Sequence, residues 1–206
     1  MYKKLFKRII DVFLASTGLL ILSPLFFIIS FILLFTNKGR PFFFQSRPGK
    51  NEEVFKIIKF KSMSDKKDAN NELLPDDQRV TLFGNFIRKY SLDEIPQLIN
   101  ILVGHMSLVG PRPLRVKYLP FYTEAERIRH SVKPGVTGLA QISGRNSLNW
   151  DDKLALDIEY VEKMSFYLDV KIFFKTILKV IKGSDTNLSE GIIDLDDYRN
   201  IKRQNV

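Results

Sequence analysis

The sequence predicts an α+β protein, mainly helical, in which an N-terminal membrane helix precedes one small globular domain. Three observations carry that reading. No charged residue occurs from Val12 to Phe35, whereas Lys3, Lys4, Lys7 and Arg8 precede this run and Lys38 and Arg40 follow it. Two strand-like runs flank a turn at Arg47-Pro48-Gly49-Lys50-Asn51, the pattern of a β-hairpin. Residues 166–182 place Lys171, Lys175, Lys179 and Lys182 on one helical face and apolar side chains around the rest.

A straight helix over the apolar run would be roughly 36 Å long, enough for a hydrocarbon core of about 30 Å. Ser23-Pro24 stands at its middle. Proline removes a backbone donor and clashes with the carbonyl four residues back, so a break is expected there, leaving two pieces of roughly 18 Å. Ser23 is available to satisfy part of the freed backbone. Lys/Arg excess marks cytoplasmic flanks, and here both flanks carry it. Residues 1–36 are therefore read as a re-entrant helix that enters one leaflet and returns; a kinked single-pass helix is the alternative. A cleaved signal peptide fits poorly, because the run is too long and no small-residue cleavage site follows.

Residues 37–183 are read as the catalytic-size domain. Asn37–Pro41 is a turn, and Phe42–Ser46 with Val54–Phe60 form the hairpin. Residues 64–79 are polar and breaker-rich, a long surface loop of a length that is uncommon unless functional. Leu82–Lys89 is a short helix. Another helix starts at Ser91 and runs to Val103, with Ser91 and Glu94 at capping-box spacing and Pro96 in its first turns. Gly110-Pro111-Arg112-Pro113 is an extended, stiff turn. Residues 120–130 form a charged helix, 133–146 a shaped Gly/Pro loop and 154–163 a helix. The lysine-striped helix 166–182 either lies in the headgroup plane or packs on the core with a solvated stripe. Residues 184–206 mix both charge signs without periodicity and read as a poorly ordered tail.

Lys and Arg number 32 against 23 Asp and Glu, a net charge of +9. Such a balance suits nucleic acid, an anionic leaflet or phosphorylated substrates; the apolar run favours the last two. Cysteine is absent, which excludes disulfides, Cys-ligated zinc and thiol nucleophiles. The two histidines, His105 and His130, are isolated, so a histidine metal pair or catalytic triad is poorly supported.

Three settings can carry chemistry. Asp93-Glu94 is either the acidic start of a helix or a carboxylate pair that holds Mg²⁺ with one member free as a nucleophile. Arg112, between two prolines, offers its guanidinium from a stiff base to phosphate oxygens or to a helix carboxylate. The loop from Lys133 to Arg145 has glycines at 135, 138 and 144 that let backbone N–H groups approach a ligand. Lys59, Arg88, Arg112 and Arg145 could surround the acidic pair, the charge arrangement that phosphoryl transfer requires. Neither a P-loop lysine motif nor a dinucleotide fingerprint is present.

Four segments occur in order: KRIIDVFLASTGLLILSPL, QSRPGKNEEVFKIIKFKSMSD, RKYSLDEIPQLINILVGHMSLVGPRPL and KPGVTGLAQISGRN. Together they resemble the bacterial sugar transferases, also called monotopic phosphoglycosyl transferases, from about Lys7 to Lys182. The short length makes the chain similar to the small PglC-type enzymes of protein N-glycosylation. The resemblance implies transfer of a sugar 1-phosphate from a UDP-sugar, with UDP-di-N-acetylbacillosamine or another N-acetylated donor expected, to undecaprenyl phosphate with release of UMP. It implies Asp93 as nucleophile through a phosphosugar-aspartyl intermediate, and Glu94 as a partner in Mg²⁺ binding or proton handling. It further implies Lys59, Arg88 and Arg112 as phosphate clamps, Gln141 and Arg145 on the nucleotide-sugar side, and Ser23-Pro24 as the membrane re-entry break. The implied location is the cytoplasmic face of the bacterial inner membrane, with membrane lipids and downstream glycosyltransferases as partners and no nucleic acid. The rival from another class is a non-enzymatic basic adaptor at the membrane surface, which leaves Asp93-Glu94 and the Pro-Arg-Pro turn unexplained.

Overall fold

The computed structural model describes residues 2–144, 148–183 and 193–204. After a π-type turn at Tyr2–Phe6, helix α1 (Lys7–Thr36) runs without interruption through Ser23-Pro24. The expected break is thus reduced to one missing backbone bond. Pro24 cannot donate to the Leu20 carbonyl, and Ser23 Oγ takes its place at 2.7 Å.

What orients α1 is a stripe of contacts along its length. Asp11, Ala15, Leu22, Phe26, Ile29 and Leu33 recur at helical steps and turn toward the domain. Ala15 packs with Phe55, Ile57, Ile101 and Met106, while Ile29 and Leu33 pack with Phe60, Ile87 and Ile95. Polar ties hold both ends. Arg8 donates to the carbonyls of Ile101 (2.5 Å) and Leu102 (2.9 Å), and Asn37 Nδ2 donates to the Lys61 carbonyl at 2.8 Å. The opposite face leaves Phe13, Leu20, Ile21, Phe27, Phe31 and Phe35 exposed. This apolar, unpaired face belongs in lipid, so the helix anchors the domain to a membrane.

The hairpin forms as expected, with β1 (Phe42–Pro48) antiparallel to β2 (Val54–Phe60) and Phe42 opposite Phe60. The polar loop that follows contains the single turn α2 (Asp76–Arg79) and is closed by antiparallel bridges between Met63 and Val80 and between Lys67 and Leu73. Helix α3 (Leu82–Lys89) matches its expected limits, because Thr81 Oγ1 caps it by accepting from the Gly84 N–H at 2.9 Å. The next segment departs from expectation. Ser91 adopts a left-handed conformation (φ 53°) and caps nothing; a 3-10 turn, Leu92–Glu94, follows, and α4 begins only at Gln97 and ends at Val103. The spacing of a capping box was present, but the Glu94 side chain is drawn elsewhere.

Strand β3 (Ser107–Val109) pairs in parallel with β4 (Gly135–Thr137), and a short helix α6 (Leu139–Ser143) follows β4. The Gly/Pro stretch is therefore largely regular structure, and its glycines serve backbone packing. A Cβ on Gly135 would lie 2.1 Å from the Gly110 nitrogen, and one on Gly138 would lie 2.2 Å from the Gly110 carbonyl oxygen. The expected charged helix at 120–130 is three pieces, 3-10 turns Val116–Phe121 and Ile128–Ser131 around α5 (Glu124–Arg127). Pro120 interrupts the ladder, and a Thr123–Glu126 capping box restarts it.

Helices α7 (Trp150–Lys163) and α8 (Phe166–Lys182) complete the domain. One edge of α8 packs on the core through Asp169 and Ile172, whereas Phe174, Leu178 and Ile181 on another edge are exposed. Asp169 accepts from Lys7 Nζ (2.6 Å), Tyr2 Oη (2.5 Å) and Tyr160 Oη (2.7 Å), which ties the chain's start to α8. Within the stretch read as a tail, α9 (Leu195–Gln204) docks on the domain, with Leu195 fully buried beside Tyr118 and Trp150.

The stripe on α1 gives a direct test. Ala15→Leu forces extra methylenes into a packed contact and is expected to destabilise the protein by about 1–3 kcal/mol, whereas Phe13→Leu on the exposed face is near neutral. Thermal unfolding of both variants in nanodiscs checks this; equal effects would mean that α1 does not pack on the domain.

Candidate active site

The site is assembled from four short segments. The left-handed Ser91 turns the chain so that Asp93 and Glu94 project from the 3-10 turn. Lys59 reaches them from the end of β2, Arg112 from the Pro-Arg-Pro turn after β3, and Arg88 lies near the end of α3. Lys59 Nζ is 2.6 Å from Glu94 Oε1 and Arg112 Nη2 is 2.9 Å from the same oxygen. Lys59 is also 4.0 Å from Asp93 Oδ2. Lys61, which shares the alternation of Lys59, turns away to Asp65.

The two carboxylates are therefore not equivalent. Glu94 is clamped by two cations. Asp93 is buried to 9% exposure yet accepts no hydrogen bond among the described residues. Burial pushes the Asp93 carboxyl up from its ordinary range; Lys59 opposes this, Glu94 adds to it, and Arg88 and Arg112 pull it down. For Glu94 burial acts in the same direction but loses to Arg112 and Lys59, which hold it well below the usual carboxylate range. Glu94 in turn raises the Arg112 guanidinium, against the effect of burial. One carboxylate is a fixed counter-ion and the other keeps free lone pairs in a cationic, partly dry setting. That is the electrostatic preparation for a carboxylate nucleophile beside an anionic substrate.

Arg88 supports the same polarity, since its Nη1 is buried without a hydrogen-bond partner. Among the described residues no three candidate metal ligands cluster. Mg²⁺ takes one or two carboxylates and completes its shell with water and phosphate oxygens, so Asp93 and Glu94 fit its needs.

A residue pair invisible to the sequence reading holds Arg112 in place. Arg129, 3% exposed, donates to Asp157 Oδ2 through Nε (3.1 Å) and Nη2 (2.7 Å), to Tyr122 Oη (3.2 Å), and to the backbone carbonyl of Arg112 (2.7 Å). The stiffness of the Pro-Arg-Pro turn thus comes from the prolines and from this anchor. Neither Arg129 nor Asp157 stands in a motif; each sits in a run of other charged residues.

Not every expected residue joins the pair. Gln141 is buried beside β4, where Nε2 donates to the Val136 carbonyl at 3.4 Å and the Gln141 backbone carbonyl accepts from Lys179; among the described residues no hydrogen bond takes it to Asp93 or Glu94. Arg145 lies outside the described residues. Ser23 and Pro24 lie within α1 and act on the anchor.

The profile of the family described as bacterial sugar transferase matches residues 2–183. The chain is similar to the uncharacterized sugar transferase EpsL of Bacillus subtilis, 50% identical over 170 residues that cover 79% of this chain and 81% of that protein. It is 41% identical over 188 residues to the exopolysaccharide production protein ExoY of Rhizobium meliloti, covering 83% of each chain. It is 39% identical over 186 residues to the UDP-glucose:undecaprenyl-phosphate glucose-1-phosphate transferase of Escherichia coli, covering 85% of this chain and 40% of that longer protein.

The unequal carboxylates predict unequal titrations. Carbon-13 NMR of labelled side chains should show Asp93 titrating above, and Glu94 below, the ordinary range. Glu94→Gln removes a neighbouring negative charge and should lower the Asp93 pKa; Lys59→Met removes a cation and should raise it. Shifts of the same sign in both variants would refute the assigned division of charge.

Proposed function

The chain belongs to the bacterial sugar transferase family, and on that premise we propose that it transfers a sugar 1-phosphate from a UDP-sugar to undecaprenyl phosphate, releasing UMP. The observation that carries the mechanism is the free carboxylate of Asp93 beside a clamped Glu94. In the first step an Asp93 oxygen attacks the donor's β-phosphorus; the Asp93 O–P bond forms as the bond to the UMP oxygen breaks, and UMP leaves with that electron pair. In the second step the phosphate oxygen of the lipid attacks the same phosphorus and releases the Asp93 carboxylate, leaving undecaprenyl-diphosphate-sugar. Lys59, Arg88 and Arg112 neutralise charge on the transferring phosphoryl group. Glu94 holds Lys59 and Arg112 in position for it. Bound Mg²⁺, held by Asp93 and Glu94, would supply further neutralisation of the phosphate oxygens.

The donor expected from the sequence, UDP-di-N-acetylbacillosamine or another N-acetylated sugar feeding N-linked glycan assembly, stands beside UDP-glucose, the sugar in the name of the Escherichia coli relative. Both belong in one substrate panel. An adaptor would have no use for a nearly buried aspartate that accepts no hydrogen bond in a ring of cations.

Topology is part of the proposal. Contacts that tie both ends of α1 to one domain favour a monotopic anchor whose ends share the cytoplasmic face of the inner membrane. Replacing Ser23-Pro24 by Ala-Ala should favour a spanning helix, read by cysteine labelling at the N-terminus. An N-terminus still labelled only from the cytoplasmic side would remove the Ser-Pro pair from topology control.

The decisive assay is UMP release by the purified chain with undecaprenyl phosphate, Mg²⁺ and the donor panel. One donor should release UMP, with the signal lost on chelation and reduced at least about 10³-fold in Asp93→Asn. Near wild-type turnover by Asp93→Asn would eliminate Asp93 as nucleophile.

A further inference from the structure

Resting on the proposed transfer, we infer that Arg47 is a binding residue for the phosphate of the departing nucleotide, which places the nucleotide end of the donor under the turn end of the hairpin. Four other arginines each have an acid: Arg112 has Glu94, Arg115 has Asp194, Arg127 has Glu52 and Arg129 has Asp157. Arg47 has none among the described residues. Its Nη2 donates to the neutral Gln45 amide oxygen at 2.6 Å, and its Nε is buried without a partner. A half-buried cation whose Nε has no partner is incompletely satisfied until an anion completes it.

The hairpin register says where that anion would lie. Arg47 stands opposite Phe55, and Phe43 stands opposite Lys59. Because side chains alternate, Gln45, Arg47 and Lys59 share one face of the hairpin. Arg47 starts about 13 Å along the strands from Lys59, and its guanidinium folds back over Gln45 toward Lys59. The Val116–Phe121 segment packs against β1, bringing Tyr118 and, just beyond it, Tyr122 to the same region. Burial first, then the charges of Arg112 and Arg115, push Arg47 down to about 10, the effect a phosphate would relieve. With the transferring phosphoryl at Asp93 and Lys59, we set the donor's next phosphate on the side of Arg112 and Arg47, whose charges act on one another. A guanidinium fork suits it.

The test uses the full chain in nanodiscs, with UMP binding by calorimetry and steady-state kinetics for both substrates. Arg47→Met should weaken UMP and raise the donor KM at least about tenfold, the loss of one charge-assisted hydrogen-bond pair, while the KM for undecaprenyl phosphate stays at its wild-type value. Arg47→Lys, which keeps the charge but loses the fork, should fall between and covers the case in which the methionine variant does not fold. Wild-type UMP affinity in both variants overturns the assignment. A raised KM for the lipid with an unchanged donor KM also overturns it, by giving Arg47 to the lipid phosphate. Wild-type protein that neither binds UMP nor consumes any UDP-sugar overturns the underlying transfer reaction itself.

Discussion

One oxygen atom organises this protein. Glu94 Oε1 receives both Lys59 and Arg112, and through them joins the hairpin, the 3-10 turn and the Pro-Arg-Pro turn. Burying three charges is expensive unless each is paired, so the segments that bring them cannot drift apart independently. Arg129 and Asp157 extend the tie to α7 through the Arg112 backbone. Because Glu94 absorbs two cations, Asp93 is left without a hydrogen bond beside them. The chemistry follows from asymmetry inside a pair that the sequence presents as two similar acids.

The second organising feature is mechanical. Helix α1 has two apolar faces with different destinations, one toward the domain and one toward lipid. The exposed edge of α8, with Phe174, Leu178 and Ile181, adds a second lipid-seeking surface. A transferase that joins a water-soluble donor to a lipid acceptor needs a site held at the membrane boundary, and these surfaces bind the domain to the membrane.

Much of this was legible in the chain. The hairpin, α3 and α8 lie where turn residues and periodicity put them, because local signals and tertiary packing agree there. The dyad, Lys59 and Arg112 were legible from charge and from family resemblance. Three things were not. Ser91 has the spacing of a cap, but long-range attraction of Glu94 to Lys59 and Arg112 overrides the local preference. Gly135 and Gly138 look like ligand-cradling glycines, yet they make room for the Gly110 backbone, a partner far away in sequence. Arg129, Asp157 and Arg47 sit in ordinary charged surroundings, and only the three-dimensional pairing of cations with acids shows Arg47, like Arg88, without an ion pair among the described residues.

The contact stripe along α1 also bears on how this protein comes into being. Ala15, Ile29 and Leu33 are core residues shared with the soluble domain, so the anchor and the catalytic half form one cooperative folding unit. A version trimmed at residue 37 would lay bare Phe60, Ile87, Ile101 and Met106 to water and aggregate. The domain therefore completes its core only with α1 in place, which couples the folding of the domain to the fate of its membrane helix.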